Sequence, residues 1–228
     1  MITIDDLMRI QIASFAKVPD HIFIAEKNFH PEKLILILSD ENRDPKDEKN
    51  NEIFKKIEEV ANFYEKLNIP IEKRYVNYKN FIEMTLKLAK IINEFTPEDE
   101  ILLNLSGGRR SIPISLIYAG TFTSNFKDVN IKCVVIPEDK TYKPFNLLPN
   151  YLPDEIDIKL MAKLSQKIAL TDLEDYLGIK QPTISMRLKR LEKHSYIILN
   201  GRDRHLTDLG HMVVDINIPE LNQIEEEN

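Results

Sequence analysis

A short apolar run, Ile101-Leu102-Leu103-Asn104-Leu105, leads directly into Ser106-Gly107-Gly108-Arg109-Arg110-Ser111. The run is typical of a buried strand, and helical spacing of apolar residues continues from Ser111 to Thr123. Two glycines let the backbone turn tightly, the helix N-terminus offers free N–H groups, and two arginines add charge suited to phosphate. A plain turn with solvated arginines is the alternative, but ligands of open α/β sheets bind at the carboxyl ends of strands. The segment therefore predicts an anion site, although it has neither a P-loop ending nor a Gly-x-Gly-x-x-Gly pattern.

Strands and helices alternate on both sides of this segment. The predicted strands lie at 8–13, 34–38, 71–76, 101–105 and 131–136. The predicted helices lie at 19–28, 52–67, 81–92 and 111–123. Such alternation indicates βαβ units, and right-handed crossovers then produce a mainly parallel sheet with helices on both faces. The fold class expected for residues 1–136 is therefore α/β, Rossmann-like.

The pattern changes after residue 136. Residues 137–153 are rich in proline and aromatic residues, which predicts a hairpin or linker. A second domain is expected at 154–228, beginning with a helix marked by Ile156, Leu160, Met161 and Leu164. The chain is 228 residues long, which is enough for these two domains.

The second domain shows the order of a winged helix-turn-helix. A capping box, Thr171-Asp172-Leu173-Glu174, opens a short helix, and Gly178 permits a turn into a helix at 181–194. The core face of that helix is formed by Ile184, Leu188 and Leu191. A β-hairpin is predicted at 196–206, because Asn200-Gly201 is a strong signal for a two-residue turn.

Charge supports DNA as the partner of this domain. Residues 180–206 carry seven basic and two acidic side chains, a local charge of +5 in a chain whose net charge is −6. The stretch from Leu177 to Ser185 resembles the recognition segment of winged-helix repressors of the ArsR and MarR types, whose second helix enters the major groove. The alternative is a protein-binding winged helix. The candidate residues for contact with double-stranded DNA are Gln181, Pro182, Thr183, Ser185, Met186, Arg187, Lys189, Arg190, Arg202 and Arg204.

The whole chain resembles the CARF-domain transcriptional regulators associated with archaeal CRISPR systems. The resemblance rests on the Rossmann-like pattern, the C-terminal winged helix, a short loop at 14–17 and the loop at 106–110, where Ser106 occupies a small hydroxyl position and Arg110 a basic position. It implies a homodimer that binds cyclic oligoadenylate, most often cyclic tetra-adenylate, across its two-fold axis. Such a ring is itself two-fold symmetric, so identical loops of two subunits can neutralise it. The candidate ligand residues, which include the end of the second strand, are Ser14, Phe15, Ala16, Lys17, Ser39, Asp40, Ser106, Gly107, Gly108, Arg109 and Arg110.

Two other functions remain open at this stage. One is a winged-helix repressor that senses another metabolite. The other is a CARF-type ring nuclease, in which Ser14, Ser106 and Arg110 position a ribose hydroxyl for attack on its own phosphate; however, the chain shows no clear general base. We expect a sensor rather than an enzyme.

Composition excludes several other classes. The single cysteine, Cys133, lies in an apolar run and excludes an intramolecular disulfide, and the five histidines show no metal-ligand spacing. We therefore expect no metal and no cofactor. The sequence shows neither an apolar run of bilayer-spanning length nor a secretory signal, so a cytoplasmic location without a membrane partner is expected.

Overall fold

The structure is a computed structural model that describes residues 7–44, 46–127, 129–147, 149, 151–165, 170–200 and 203–217. The chain divides into two compact units, Met1–Leu148 and Pro149–Asn228. Within the described residues, no helix combines the length and the apolar character needed to cross a bilayer. The two units are described separately below.

The first unit is built on one sheet. Within the described residues this sheet has six strands in the order β3-β2-β1-β4-β5-β6. The strands are β1 Arg9–Ser14, β2 Lys33–Ser39, β3 Ile71–Val76, β4 Glu100–Asn104, β5 Asn130–Val134 and β6 Phe145–Asn146. Strands β1 to β5 pair in parallel, and β6 runs antiparallel to β5. The mainly parallel α/β sheet expected from the sequence is confirmed, and residues 145–146 of the proline-rich segment contribute its last strand.

Helices cover both faces of this sheet. They are α1 Asp20–Phe29, α2 Asn51–Lys66, α3 Phe81–Ile92 and α4 Ser111–Phe126. Alternate strand residues point to opposite faces, so Ile35 packs in the core that contains α3 and α4, whereas Leu34 packs with Ile57 of α2. Burial on both faces explains why the central strands are continuous apolar runs.

The strand order reverses at β1. The chain builds β2 and β3 on one side of β1 and then β4 and β5 on the other. At such a switch point the loops that leave neighbouring strands diverge, and a crevice opens outside their carboxyl ends. The loops after β1 and β4 carry most of the candidate ligand residues that the sequence indicated, and Ser39 and Asp40 lie at the end of β2.

The second unit consists of helices and a β-hairpin. Its elements are α5 Glu155–Ser165, α6 Leu170–Leu177, α7 Gln181–Lys193, β7 Ile197–Asn200, β8 Asp203–Leu206 and α8 Asp208–Asn217. The expected core positions Ile184, Leu188 and Leu191 are buried. Gly178 adopts φ +65° between α6 and α7, a conformation that glycine adopts readily. The predicted helix, turn, helix and hairpin all form.

Three details of this unit differ from the sequence interpretation or lie beyond it. Helix α8 was not predicted from the sequence. Its N-terminus is capped by the Thr207 hydroxyl, which accepts a hydrogen bond from the Gly210 N–H at 3.1 Å. Thr171 and Glu174 are the two polar residues of the predicted capping box. The side chain of Thr171 lies outside the described residues, and the Glu174 carboxylate accepts a hydrogen bond from the Gln181 N–H at the start of α7. Residues 201–202, at the hairpin tip, also lie outside the described residues.

Candidate functional site

The glycine loop after β4 is tied to its neighbours by serine hydroxyls. The Ser14 hydroxyl donates to the Gly107 carbonyl at 2.6 Å and lies 3.3 Å from the Asn104 carbonyl. The Ser106 hydroxyl accepts from the Ile136 N–H at 2.8 Å. The loops after β1, β4 and β5 are thereby joined at the carboxyl edge of the sheet. Gly108 adopts φ +80°, which a larger residue tolerates poorly.

A cleft of about 470 Å³ opens between these three loops. This volume lies within the range of small-molecule sites. Apolar side chains form its walls, and two exposed ion pairs stand at its rim, Lys17 with Glu52 at 2.7 Å and Lys140 with Asp20 at 3.1 Å. The lining residues are Ala16, Lys17, Val18, Asp20, His21, Ile24, Ser106, Gly107, Gly108, Ile136, Pro137, Glu138 and Lys140.

A buried histidine forms part of the cleft lining. His21, in the first turn of α1, is 6% exposed, and neither of its ring nitrogens has a hydrogen-bond partner among the described residues. Burial lowers the pKa of His21 to about 4, and the neighbouring Asn104 and Asp20 side chains oppose this shift only in part. The Asn104 amide donates to the His21 carbonyl at 2.9 Å, which fixes the start of α1 against β4.

Arg109 lies away from the cleft. Its guanidinium stacks on the Tyr78 ring at 4.1 Å from the centroid and forms an ion pair with Glu41 at 2.5 Å. The Tyr78 hydroxyl donates to Glu41 at 2.8 Å, and Lys79 also pairs with Glu41 at 3.1 Å. The hydrogen bond from Tyr78, together with these cations, holds the pKa of Glu41 below its usual value. The structure therefore places Arg109 beside the loops after β2 and β3.

The sequence-based ligand residues separate into two sets. Ala16, Lys17, Ser106, Gly107 and Gly108 line the cleft. The remaining six lie outside it. Ser14, Phe15 and Ser39 are buried, and the Ser39 hydroxyl accepts a hydrogen bond from the Glu41 N–H. Asp40 is exposed and pairs with Arg43, whereas Arg109 and Arg110 are exposed beside the start of α4. Ser14 is thus a loop-holding residue in this structure.

Sequence reasoning missed the part of the cleft that α1 and the segment after β5 contribute. His21 was considered only as a metal ligand, and Ile136 and Pro137 only as the end of a strand and a linker. A histidine four residues before the buried Ala25 on a helix is the local signal that could have drawn attention to His21. Its contact with Gly107 could not be inferred locally, because the two residues are far apart in the chain.

The candidate DNA-contacting helix, α7, presents an exposed polar stripe. Along the stripe, Ser185, Met186 and Lys189 are exposed, and Gln181 and Pro182 are exposed at its N-terminal end. Thr183 is half-buried at the margin. Pro182, Ser185, Met186 and Lys189 therefore lie on the side of the helix opposite the core face, with Gln181 and Thr183 at the margins of the stripe.

Arg187 was a candidate DNA contact, which requires an exposed side chain, and the structure contradicts that exposure. Its side chain is only 15% exposed, and its guanidinium lies 2.8 Å from carboxylate oxygens of both Asp154 and Asp157. Hydrogen bonding to Asp154 raises the pKa of Arg187. Arg190, on the same flank, stacks on Tyr151 at 4.4 Å and lies 3.4 Å from Asp157.

The ion cluster of Arg187, Arg190, Asp154 and Asp157 is tied into the second unit by further hydrogen bonds. Asp157 is fully buried and also accepts a hydrogen bond from the Tyr151 hydroxyl. The Tyr196 hydroxyl donates to the Tyr151 carbonyl at 2.7 Å, which connects the cluster to the start of the hairpin. The physical reason for the correction is that the N-terminal turn of α5 lies against this flank of α7 and its carboxylates require cations.

The two candidate arginines of the hairpin differ in what the structure describes. Arg204 on β8 is half-buried, and Arg202 lies outside the described residues. Within the described part of the chain, no group of three His, Cys, Asp or Glu side chains is arranged to hold a metal ion. Burial raises the pKa of the Cys133 thiol to about 12, so it is a packing residue.

The sheet order and the cleft at its switch point define the first unit as a Rossmann-like domain with a cleft at the carboxyl edge of its sheet. The family model described as Csa3 CRISPR-associated Rossmann-like domain matches residues 23–141, which is more than half of the chain. The chain therefore belongs to this CRISPR-associated Rossmann-like family.

The chain is also similar to several solved structures, and none of the curated proteins compared with it matches. Can2 from Sulfobacillus thermosulfidooxidans, solved in complex with cyclic tetra-adenylate, is 11% identical over 96% of this chain and 68% of Can2, with a TM-score of 0.45. Enterococcus italicus Csm6, bound to cyclic hexa-2′-fluoro-hexa-dAMP, is 13% identical over 93% of this chain and 55% of Csm6, with a TM-score of 0.47. Protein VC1899 from Vibrio cholerae is 11% identical over 96% of this chain and 69% of VC1899, with a TM-score of 0.42.

Proposed function

We propose that this chain is a ligand-responsive, DNA-binding transcriptional regulator of a CRISPR-Cas system. In this proposal the first unit senses cyclic oligoadenylate, with cyclic tetra-adenylate as the ligand, and the second unit is a winged helix-turn-helix that binds double-stranded DNA. The observation that carries the proposal is the cleft over the β1 and β4 ends in a chain of a CRISPR-associated family. The helices and hairpin of the second unit then bind the DNA.

The chemistry of the cleft edge suits a nucleotide. The apolar walls can enclose a base, while Lys17 at the rim can meet phosphate. At the start of α4 the Ile112 N–H already donates to the Arg109 carbonyl at 2.8 Å and Pro113 has no N–H, so side chains are the main phosphate contacts there. Arg110 is exposed at the start of α4, so its guanidinium is available to an anion. These groups lie on one edge of the sheet, as a single ligand would require.

A second copy of the chain has a suitable surface in the first unit. Helices α3 and α4 pack side by side and expose Ile82, Leu86, Ile114, Tyr118, Phe122 and Phe126, each about half exposed or more. A large side chain such as an aromatic one has a surface of about 150–250 Å², so the exposed parts of these six side chains together amount to roughly 700 Å². The largest apolar patch on a typical monomer covers only ~300–600 Å². A standard interface buries ~800 Å² per partner. The size of this patch supports a homodimer formed through α3 and α4.

The DNA-binding role is assigned to the exposed stripe of α7. Ser185 and Met186 can reach base edges, and Lys189 can contact phosphate, if the helix enters the major groove. The basic hairpin, with Arg204, then lies beside the helix as a wing. Arg187 and Arg190 hold the helix in place through the ion cluster rather than contacting DNA.

We propose sensing without cleavage of the ligand. The hydroxyls of Ser14 and Ser106, which a ring-nuclease mechanism would use, each engage the backbone of a neighbouring loop. His21, with a pKa of about 4, is a weak base at neutral pH. Incubation of the protein with cyclic tetra-adenylate should therefore yield no linear product by chromatography, and its appearance would establish the enzyme.

The decisive experiment is a DNA titration with and without saturating cyclic tetra-adenylate. Allosteric coupling is typically about 1–3 kcal/mol, so the ligand should change DNA affinity by roughly 5- to 150-fold. Arg110→Ala should lose this response while retaining ligand-free DNA affinity, because the residue lies in the other unit. Lys55→Ala, an exposed cation on α2, is the matched control and should respond as wild type does. Equal DNA affinity with and without bound ligand would refute the switch and leave a sensor of another metabolite or a passive binder.

A further inference from the structure

The environment of His21 is unusual for a buried histidine. The residue is 6% exposed, and both ring nitrogens are without a hydrogen-bond partner among the described residues. A neutral imidazole carries one N–H donor and one acceptor, and buried polar groups in native proteins are nearly always hydrogen-bonded. Packing alone would favour an apolar side chain at this position, so the histidine requires another explanation.

The location of the ring supplies one. His21 lines the cleft together with the apolar residues Val18, Ile24, Ile136 and Pro137. A flat group held between apolar walls is oriented by a small number of polar contacts at its edge. A nucleobase has this character, with an apolar face and an edge of donors and acceptors.

The glycine loop lies directly on the His21 ring. A Cβ atom at position 107 would fall 2.5 Å from the His21 Nε2 atom, so only glycine allows this approach. The same loop continues to the start of α4, where phosphate is expected to bind. A shift of Gly107 would therefore uncover the imidazole and also move the start of α4.

We propose that His21 is the base-recognition residue of the cleft, and that its Nε2 atom hydrogen-bonds the edge of an adenine when ligand binding displaces the Gly107 backbone. This inference rests on the proposed function, since adenine is the base of the proposed ligand. Because burial keeps the imidazole neutral at pH 7, it offers a donor and an acceptor there rather than a positive charge.

The test uses the full-length protein and cyclic tetra-adenylate in isothermal titration calorimetry. His21→Leu removes the hydrogen-bonding atoms, and its ligand affinity should fall at least about tenfold. The melting temperature of the ligand-free variant should not fall, because the substitution removes two unpaired buried nitrogens. Ile24→Val, on the same helix and in the same cleft, is the control; loss of one methylene should change affinity by no more than about fourfold.

A third variant separates recognition from packing. His21→Gln restores a donor and an acceptor, and it should recover at least part of the affinity that His21→Leu loses. Wild-type affinity in His21→Leu would overturn the role of His21 and leave the proposed function intact. If His21→Leu melts at a lower temperature and His21→Gln recovers none of the lost ligand affinity, His21 has a packing role, and the proposed recognition role is also overturned. Absence of wild-type binding to cyclic tetra-adenylate would overturn the proposed ligand and this inference together.

Discussion

Arg187→Ala distinguishes a structural arginine from a DNA contact. From the sequence, this substitution would weaken DNA binding and flatten its salt dependence. In the structure, Arg187 is 15% exposed and bridges Asp154 and the fully buried Asp157 at 2.8 Å. Its removal leaves the Asp157 carboxylate with a longer contact to Arg190, at 3.4 Å, and with the Tyr151 hydroxyl.

The expected loss of stability is large for one substitution. Removing one partner of a buried ion pair costs about 3–5 kcal/mol, because the remaining charge is left buried. Since Arg190 and Tyr151 still contact Asp157, we expect the lower end, about 3 kcal/mol. For a unit of this size, 1 kcal/mol corresponds to roughly 4–8 °C in melting temperature, so the second unit should melt more than about 10 °C earlier.

The assay is differential scanning calorimetry of the full chain, followed by DNA titration well below the melting transition. Lys159→Ala is the control, because its pair with Glu155 on α5 is exposed and exposed i,i+4 pairs contribute little to stability. An Arg187→Ala variant that melts within about 2 °C of wild type but binds DNA tenfold more weakly would refute the structural role. It would also restore the sequence-based interpretation of Arg187 as a phosphate contact.

Three further predictions concern the DNA, the pH dependence and the dimer. Lys189→Ala should lower DNA affinity for all sequences and reduce the slope of log affinity against log salt by about one; an unchanged slope would place the DNA elsewhere. Burial lowers the pKa of His21 from 6.5 to about 4, so the fold loses no stability from its titration above pH 6.5 and loses stability as the pH falls from 6.5 toward 4, because the unfolded chain binds the proton more readily. At about 1.4 kcal/mol per pKa unit, the loss reaches roughly 3 kcal/mol. Urea unfolding at pH 7 and 4.5 should show a smaller acid loss in His21→Leu than in wild type, and equal losses would contradict the assignment. Tyr118→Glu should convert the dimer to a monomer in analytical ultracentrifugation, whereas Leu152→Glu, an equally apolar exposed position in the second unit, should not. A dimeric Tyr118→Glu variant would exclude the α3–α4 face as the interface.

Ser14 illustrates how a plausible ligand residue becomes a structural one. Its position in a short loop after the first strand suggested a ligand contact, and its hydroxyl instead holds the Gly107 carbonyl at 2.6 Å. Arg109 shows the same effect, because its partner Glu41 lies 68 residues away in the chain. Candidate residues can be identified by type and local position, but their partners depend on which loops meet.

The sequence by itself determined the elements and their alternation. Apolar periodicity and turn residues act over a few positions, so the strands from Arg9–Ser14 to Asn130–Val134, the glycine loop and the hairpin could be inferred locally. The alternation then restricted the fold to an α/β sheet with right-handed crossovers. Helix α8 was locally encoded too, by the Thr207 cap, and was overlooked.

Only the tertiary structure decided which faces meet. Helical periodicity placed Arg187 beside the exposed stripe of α7, but it carried no information about Asp154 and Asp157, which lie about thirty residues earlier and contact that flank only after α5 packs there. The contact between His21 and Gly107 likewise exists because β1 and β4 are neighbours in the sheet. Side-chain burial and ion pairing depend on such long-range packing, and local patterns cannot specify them.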